Sequence, residues 1–129
     1  MRLIVPLIAA LSLACALFPT IASARPGWTW TLYEGRTSLA LANEIPDTTN
    51  LAAVLECTPG SGEAKVSIFP PGGSRTTPVV GSYQTTDAAF VAFVRSGKLS
   101  LKTEAGTGEI AMDAVHRNKL WRFSRLCGA

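Results

Sequence analysis

The chain has 129 residues, a formal charge of +3 and 47% hydrophobic residues, which is enough for one domain with its own core. This length excludes both a dinucleotide-binding unit with a separate substrate domain and a barrel enzyme. The charge is uneven, because residues 25–113 carry seven basic and nine acidic groups, whereas residues 114–129 carry four basic groups and no acidic ones.

The N-terminal residues have the three parts of a secretory signal peptide. Arg2 supplies the positive start, residues 3–18 are almost wholly apolar, and Ala22-Ser23-Ala24 fits the small-x-small cleavage rule. We predict a signal peptide at 1–24 and a single exported domain at 25–129, and we favour a periplasmic over an extracellular location. The apolar run is short for a membrane span, and no later run approaches the roughly 20 apolar residues that a span requires.

Cysteine usage agrees with export. A lipoprotein cut before Cys15 is disfavoured, because Ser12 stands where a large aliphatic residue is usual and apolar residues continue after the cysteine. Removal of the leader leaves Cys57 and Cys127, and two cysteines in an oxidising compartment predict one disulfide. Neither has a C-x-x-C partner, so a reactive or metal-binding pair is disfavoured.

Alternating apolar residues and turn residues predict short strands along the first two thirds of the domain. The strand candidates are 28–33, 38–42, 51–57, 64–69 and 79–84. The run 51–57 is apolar through five consecutive residues, which predicts a central strand buried on both faces. Turn residues at 59–62 predict a hairpin between 51–57 and 64–69.

Residues 88–94 suit either a strand or a helix. Thr86 or Asp87 as a cap and Gly97 as a stop favour a short helix near 87–96, which would bury Phe90 and Phe93 on one face. Residues 99–103 then predict a strand, 103–109 a turn, and 110–112 the second half of a hairpin.

The C-terminal segment changes to a helical period. His116, Leu120, Phe123 and Cys127 share one face of a helix near 114–126, with Asp113 as its cap. A disulfide would fasten the end of this helix to a central strand. We therefore predict a mainly β or α+β domain, in which about six or seven short strands form a sheet or sandwich and the helix lies across one face.

The residues suited to catalysis are scattered. His116 is the one histidine, it has cationic sequence neighbours, and no G-x-S-x-G elbow is present. Glu56 stands beside Cys57 in an apolar strand, so a small hydrolase that uses two carboxylates is an alternative, provided that a cleft encloses both. The glycine pairs lack phosphate-loop spacing, and we predict no catalytic residue, metal or cofactor.

The basic C-terminal helix offers a candidate anion-binding or partner-binding surface. Its cationic residues either complement the helix dipole or bind an anion such as a phospholipid head group, lipopolysaccharide, a cell-wall polymer or an acidic protein. Trp121 belongs either to the core or to that interface. The candidate residues are Arg117, Lys119, Trp121, Arg122 and Arg125.

An exported domain of about 100 residues, rich in strands and closed by a C-terminal disulfide, resembles in layout the small bacterial periplasmic inhibitors of c-type lysozyme. The serine-glycine loop of that family and its tryptophan-rich stretch have no counterpart here, so the resemblance assigns no residues. The sequence favours a non-enzymatic binding domain of the cell envelope, with an envelope component or a protein as partner and no nucleic acid. The hydrolase and the inhibitor-like protein are alternatives.

Overall fold

A computed structural model describes residues 21–22, 27–71 and 77–128 of the chain, with side chains from residue 27 onward. Strands within these ranges are β1 (Ile21–Ala22), β2 (Thr29–Glu34), β3 (Leu39–Glu44), β4 (Leu51–Cys57), β5 (Glu63–Ile68), β6 (Val79–Gln84), β7 (Lys98–Thr103) and β8 (Gly106–Ala111). The helices are α1 (Ala88–Ser96) and α2 (Arg117–Gly128). The leader up to residue 20, with Cys15, and the predicted cleavage site after Ala24 lie outside the described residues.

Two antiparallel sheets confirm the predicted fold class. Five strands form a meander in the order β2-β3-β4-β5-β6, and β7 pairs with β8 in a second sheet whose other edge carries the two-residue β1 in parallel. The inner face of the large sheet is buried and the outer face meets solvent, as alternation along the strands requires. The inner rows include Leu41, Leu55 and Val66, which are 0% exposed.

The inner face is covered from two sides. Helix α2 packs over β2, β3 and β5 through Leu120 and Phe123, both fully buried, as the helical period predicts. The β7–β8 hairpin covers the other end, where a Cβ atom at Gly108 would lie 2.9 Å from Ile68. The five-stranded sheet, helix α2 and the β7–β8 hairpin all contribute residues to a single hydrophobic core.

Helix α1 confirms the helical alternative for residues 88–94. It begins after Asp87, whose side chain makes no capping hydrogen bond and instead accepts one from the backbone N–H of Gln84 at 2.8 Å. It ends at Gly97, which adopts a left-handed conformation with φ of 73°. Phe90 and Phe93 are buried on one face.

Three sequence predictions are wrong in detail. Strand β4 is buried on one face only, because Glu56 on its other face is exposed. Strand β8 begins at Gly106, so two residues suffice for the turn after β7 and the glycines lie within the strand; close packing on Ile68 leaves no room for a side chain at 108. Helix α2 begins at Arg117, since residues 114–116 form a turn and Asp113 is not its cap.

The predicted disulfide is present. Cys57 at the end of β4 and Cys127 at the end of α2 are bonded, with Cα atoms 5.8 Å apart and a sequence separation of 70. The distance lies in the ordinary range for disulfides. The bond joins the C-terminal end of α2 to β4, the central strand of the five-stranded sheet. This is the connection that the sequence predicted.

Candidate binding surfaces

The turn between β4 and β5 receives the C-terminal end of α2. The backbone N–H of Gly60 donates to the carbonyl of Leu126 at 3.0 Å, and that of Gly62 donates to the carbonyl of Cys127 at 2.8 Å. Carbonyls in the last turn of a helix have no partner within the helix, so these donors satisfy them. Together with the disulfide, they fix which side of α2 faces solvent.

Two of the four predicted cationic residues fasten α2 to strand β2. The ammonium of Lys119 donates to the backbone carbonyl of Trp30 at 2.6 Å. Arg122 makes a two-pronged ion pair with Glu34, in which one guanidinium N–H donates to Oε2 at 3.1 Å. The hydrogen bond from Arg122 lowers the pKa of Glu34 below its ordinary value. These contacts also cover β2, an edge strand of the sheet, so both side chains have structural roles.

The other two cations flank an exposed tryptophan. Arg117, Trp121 and Arg125 follow one another at intervals of four residues along the solvent side of the helix, and we call these three residues the α2 outer face. Trp121 is 54% exposed, and the guanidinium carbon of Arg125 lies 4.6 Å from its ring centroid. The sequence left Trp121 open between core and interface, and the structure places it in solvent.

Arg117 is held at the start of this face. Its Nε donates to the carbonyl of Met112 at 3.4 Å, while the residue as a whole remains exposed. Val115, just before the helix, is 76% exposed and adds apolar surface at the same end. The α2 outer face therefore combines an aromatic ring, two guanidinium groups and a nearby exposed aliphatic side chain.

A second surface lies on the outer face of the five-stranded sheet. An open groove of about 820 Å³ crosses β3, β4, β5 and β6 at the disulfide end of the sheet. Register places Ala40, Glu56, Lys65 and Ser82 in one row across its floor. Glu63 and Asp87 also line it, and we call these six residues the sheet groove.

The acidic side chains divide between pairs formed with neighbouring residues and the sheet groove, which brings three carboxylates to one open cleft. Glu34 is bound to Arg122, and Glu44 accepts a hydrogen bond from Tyr33 that raises the pKa of that tyrosine. Glu56 and the other two acids of the groove are exposed. Within residues 27–71 and 77–128, no three His, Cys, Asp or Glu side chains gather as a metal site.

His116 lies in the turn before α2. Its Nδ1 is 3.4 Å from the ammonium of Lys119, and its Nε2 is 3.9 Å from a carboxylate oxygen of Asp113. Both neighbours belong to the same segment of chain. The His116 ring is half-buried and lies beside the contacts that hold α2 on β2. The sheet groove lies on the other face of the sheet, and His116 does not line it.

Comparisons with protein-family models, with curated proteins and with solved structures found no match. The resemblance in layout to periplasmic lysozyme inhibitors therefore stays a prediction. Among the helices of the described ranges, none is long and apolar enough to cross a membrane. Sequence reasoning named every residue of the α2 outer face but missed the sheet groove, because strand register and the turn before α1 bring its residues together.

Proposed function

We propose that this protein is an exported, non-enzymatic domain of the cell envelope that binds anionic, phosphate-bearing lipid head groups through the α2 outer face. The observation that carries the proposal is the exposure of Trp121 between two arginines on a helix without acidic residues. Phospholipids and lipopolysaccharide share this phosphate chemistry, and the experiment below distinguishes them.

The chemistry of the face suits a lipid–water boundary. An indole ring is favourable there because its body is apolar and its N–H can remain hydrated. Guanidinium groups recognise phosphate oxygens with paired hydrogen bonds. Arg125 already lies against the ring of Trp121, so the two side chains lose less conformational freedom on binding than isolated ones would.

The proposed location follows from the N-terminal segment and the disulfide. A signal peptide at 1–24 would deliver the domain to an oxidising compartment, and a bonded Cys57–Cys127 pair is compatible with that environment. We therefore propose the periplasm of a bacterium, where phosphate-bearing lipids line both membranes, with the extracellular space as the alternative.

Vesicle binding tests the proposal. Each basic residue near an anionic membrane contributes about 1 kcal/mol, so changing Arg117→Gln and Arg125→Gln together should weaken binding to phosphatidylglycerol vesicles about thirtyfold. Trp121→Ala should also weaken vesicle binding, and its effect should persist at high salt, where charges are screened and the apolar contribution to binding dominates. Phosphatidylcholine vesicles should bind neither form, and lipopolysaccharide micelles form a separate arm that identifies the source of the phosphate.

The matched control removes the same charge elsewhere. Lys98→Gln with Lys102→Gln changes two exposed cations of strand β7 and should leave vesicle binding unchanged. Lys119 is unsuitable for this test, since its loss would weaken the docking of α2 on Trp30. Equal losses in the control and in the helix variant would mean that net charge alone governs binding, and full binding by the helix variant would contradict the proposal.

A further inference from the structure

The α2 outer face and the sheet groove lie on opposite sides of the domain. Helix α2 covers the inner face of the sheet and turns its arginines away from it, while the groove is on the outer face. The sheet separates them, so one chain cannot bring its own two surfaces together. Any contact between them requires two molecules.

The two surfaces have opposite charge. The sheet groove holds the carboxylates of Glu56, Glu63 and Asp87 against the single ammonium of Lys65. Glu56 and Lys65 are cross-strand partners, yet within the described residues neither they nor the side chain of Glu63 form an ion pair. The groove therefore carries an excess of negative charge, since three carboxylates share it with one ammonium.

We propose that the sheet groove of one molecule receives the α2 outer face of a second copy. A helix is about 10–12 Å across with its side chains, and it lies along an open groove more readily than it enters a closed cavity. The small side chains of Ala40 and Ser82 leave space on the floor for the projecting ring of Trp121. Arg117 and Arg125 then face the carboxylates around it.

This contact is heterologous, because each copy uses a different surface from its neighbour. A heterologous contact repeats from copy to copy, and it forms either a closed ring or an open stack. Each added molecule presents a new acidic groove at one end and a new basic face at the other. The assembly is sensitive to salt, since exposed charges are screened beyond about 10 Å at 0.1 M ionic strength.

Charge reversal followed by mixing tests the proposal. Sedimentation at low salt should show self-association of the wild-type protein that falls as sodium chloride is added. Glu56→Lys with Glu63→Lys should raise the dissociation constant more than about tenfold, since it sets like charges against the arginines, and Arg117→Glu with Arg125→Glu should do the same. An equimolar mixture of these two variants should associate again, because each then offers the charge that the other lacks.

A control separates the contact from general charge effects. Lys98→Glu with Lys102→Glu makes an equal change on β7 and should leave association intact, and thermal melting of every variant checks that it is folded. A wild-type protein that stays monomeric at low salt overturns the proposal, and so does a mixture that fails to associate. The groove variant should still bind anionic vesicles, so failure of self-association is distinguishable from failure of lipid binding.

Discussion

Removing the disulfide is expected to lower the stability of the domain while leaving its surface intact. The perturbation is Cys57→Ala with Cys127→Ala, which opens a loop of 70 residues. In the chain-entropy account, a crosslink across such a loop restricts the unfolded chain and stabilises the fold by about 4 kcal/mol. Both side chains are buried, and alanine keeps part of their apolar contact.

Urea-induced unfolding measures this loss directly. We expect the free energy of unfolding to fall by about 4 kcal/mol and the melting temperature to fall by roughly 15 °C or more. Reduced wild-type protein should match the double variant, because both lack the crosslink. The native fold should persist under favourable conditions, since Leu120 and Phe123 remain buried and the donors at Gly60 and Gly62 still hold the helix end. A loss below about 1 kcal/mol would refute the entropic reasoning.

Two further changes test the docking of α2 and the end of α1. The hydrogen bond from Arg122 lowers the pKa of Glu34 below its ordinary value of 4.5. The ion pair therefore stabilises the fold fully at pH values above 4.5, and this contribution is lost as the pH falls through the pKa of Glu34 in the folded protein. Glu34→Gln should therefore be less stable than wild type near neutral pH in urea titrations, and the difference should vanish in acid; a constant difference would contradict the assignment. Gly97→Ala should lower the free energy of unfolding by about 1–3 kcal/mol, because alanine is strained in the left-handed conformation of residue 97. A further loss is expected because the added Cβ would lie 2.6 Å from the carbonyl oxygen of Met112. Gly27→Ala is the control, because Gly27 has φ of 84° and no atom lies within 4 Å of the added Cβ. Thermal melting of both variants compares them, and equal losses of stability would contradict the proposed clash with Met112.

Local patterns in the sequence were sufficient for most of the elements. The stop glycine at residue 97 correctly identified the end of α1, since this signal acts within a few residues of a helix end, whereas Asp87 occupies the N-cap position without a capping hydrogen bond. The apolar spacing of Leu120, Phe123 and Cys127 identified the buried side of α2. The disulfide followed from compartment and count, because the described domain offers one pair.

The errors arose where packing overrode local preference. Gly106 and Gly108 have turn character, but both belong to β8, and at Gly108 the strand approaches Ile68 more closely than a side chain would allow. The apolar run in β4 looked buried on both faces, although only the inner side of the sheet is covered. A run of alanine and valine does not reveal whether a second layer exists.

The cationic character of the C-terminal helix is evident from the amino-acid sequence, and so is the spacing that places Arg117, Trp121 and Arg125 on one side. Which of these cations remain available depends on the fold, since Lys119 and Arg122 bind groups in β2 that are 89 and 88 positions away in the chain. The sheet groove likewise exists only through the pairing of four strands. Helical period acts over neighbouring turns and is visible in sequence, whereas contacts between distant segments depend on how whole elements pack.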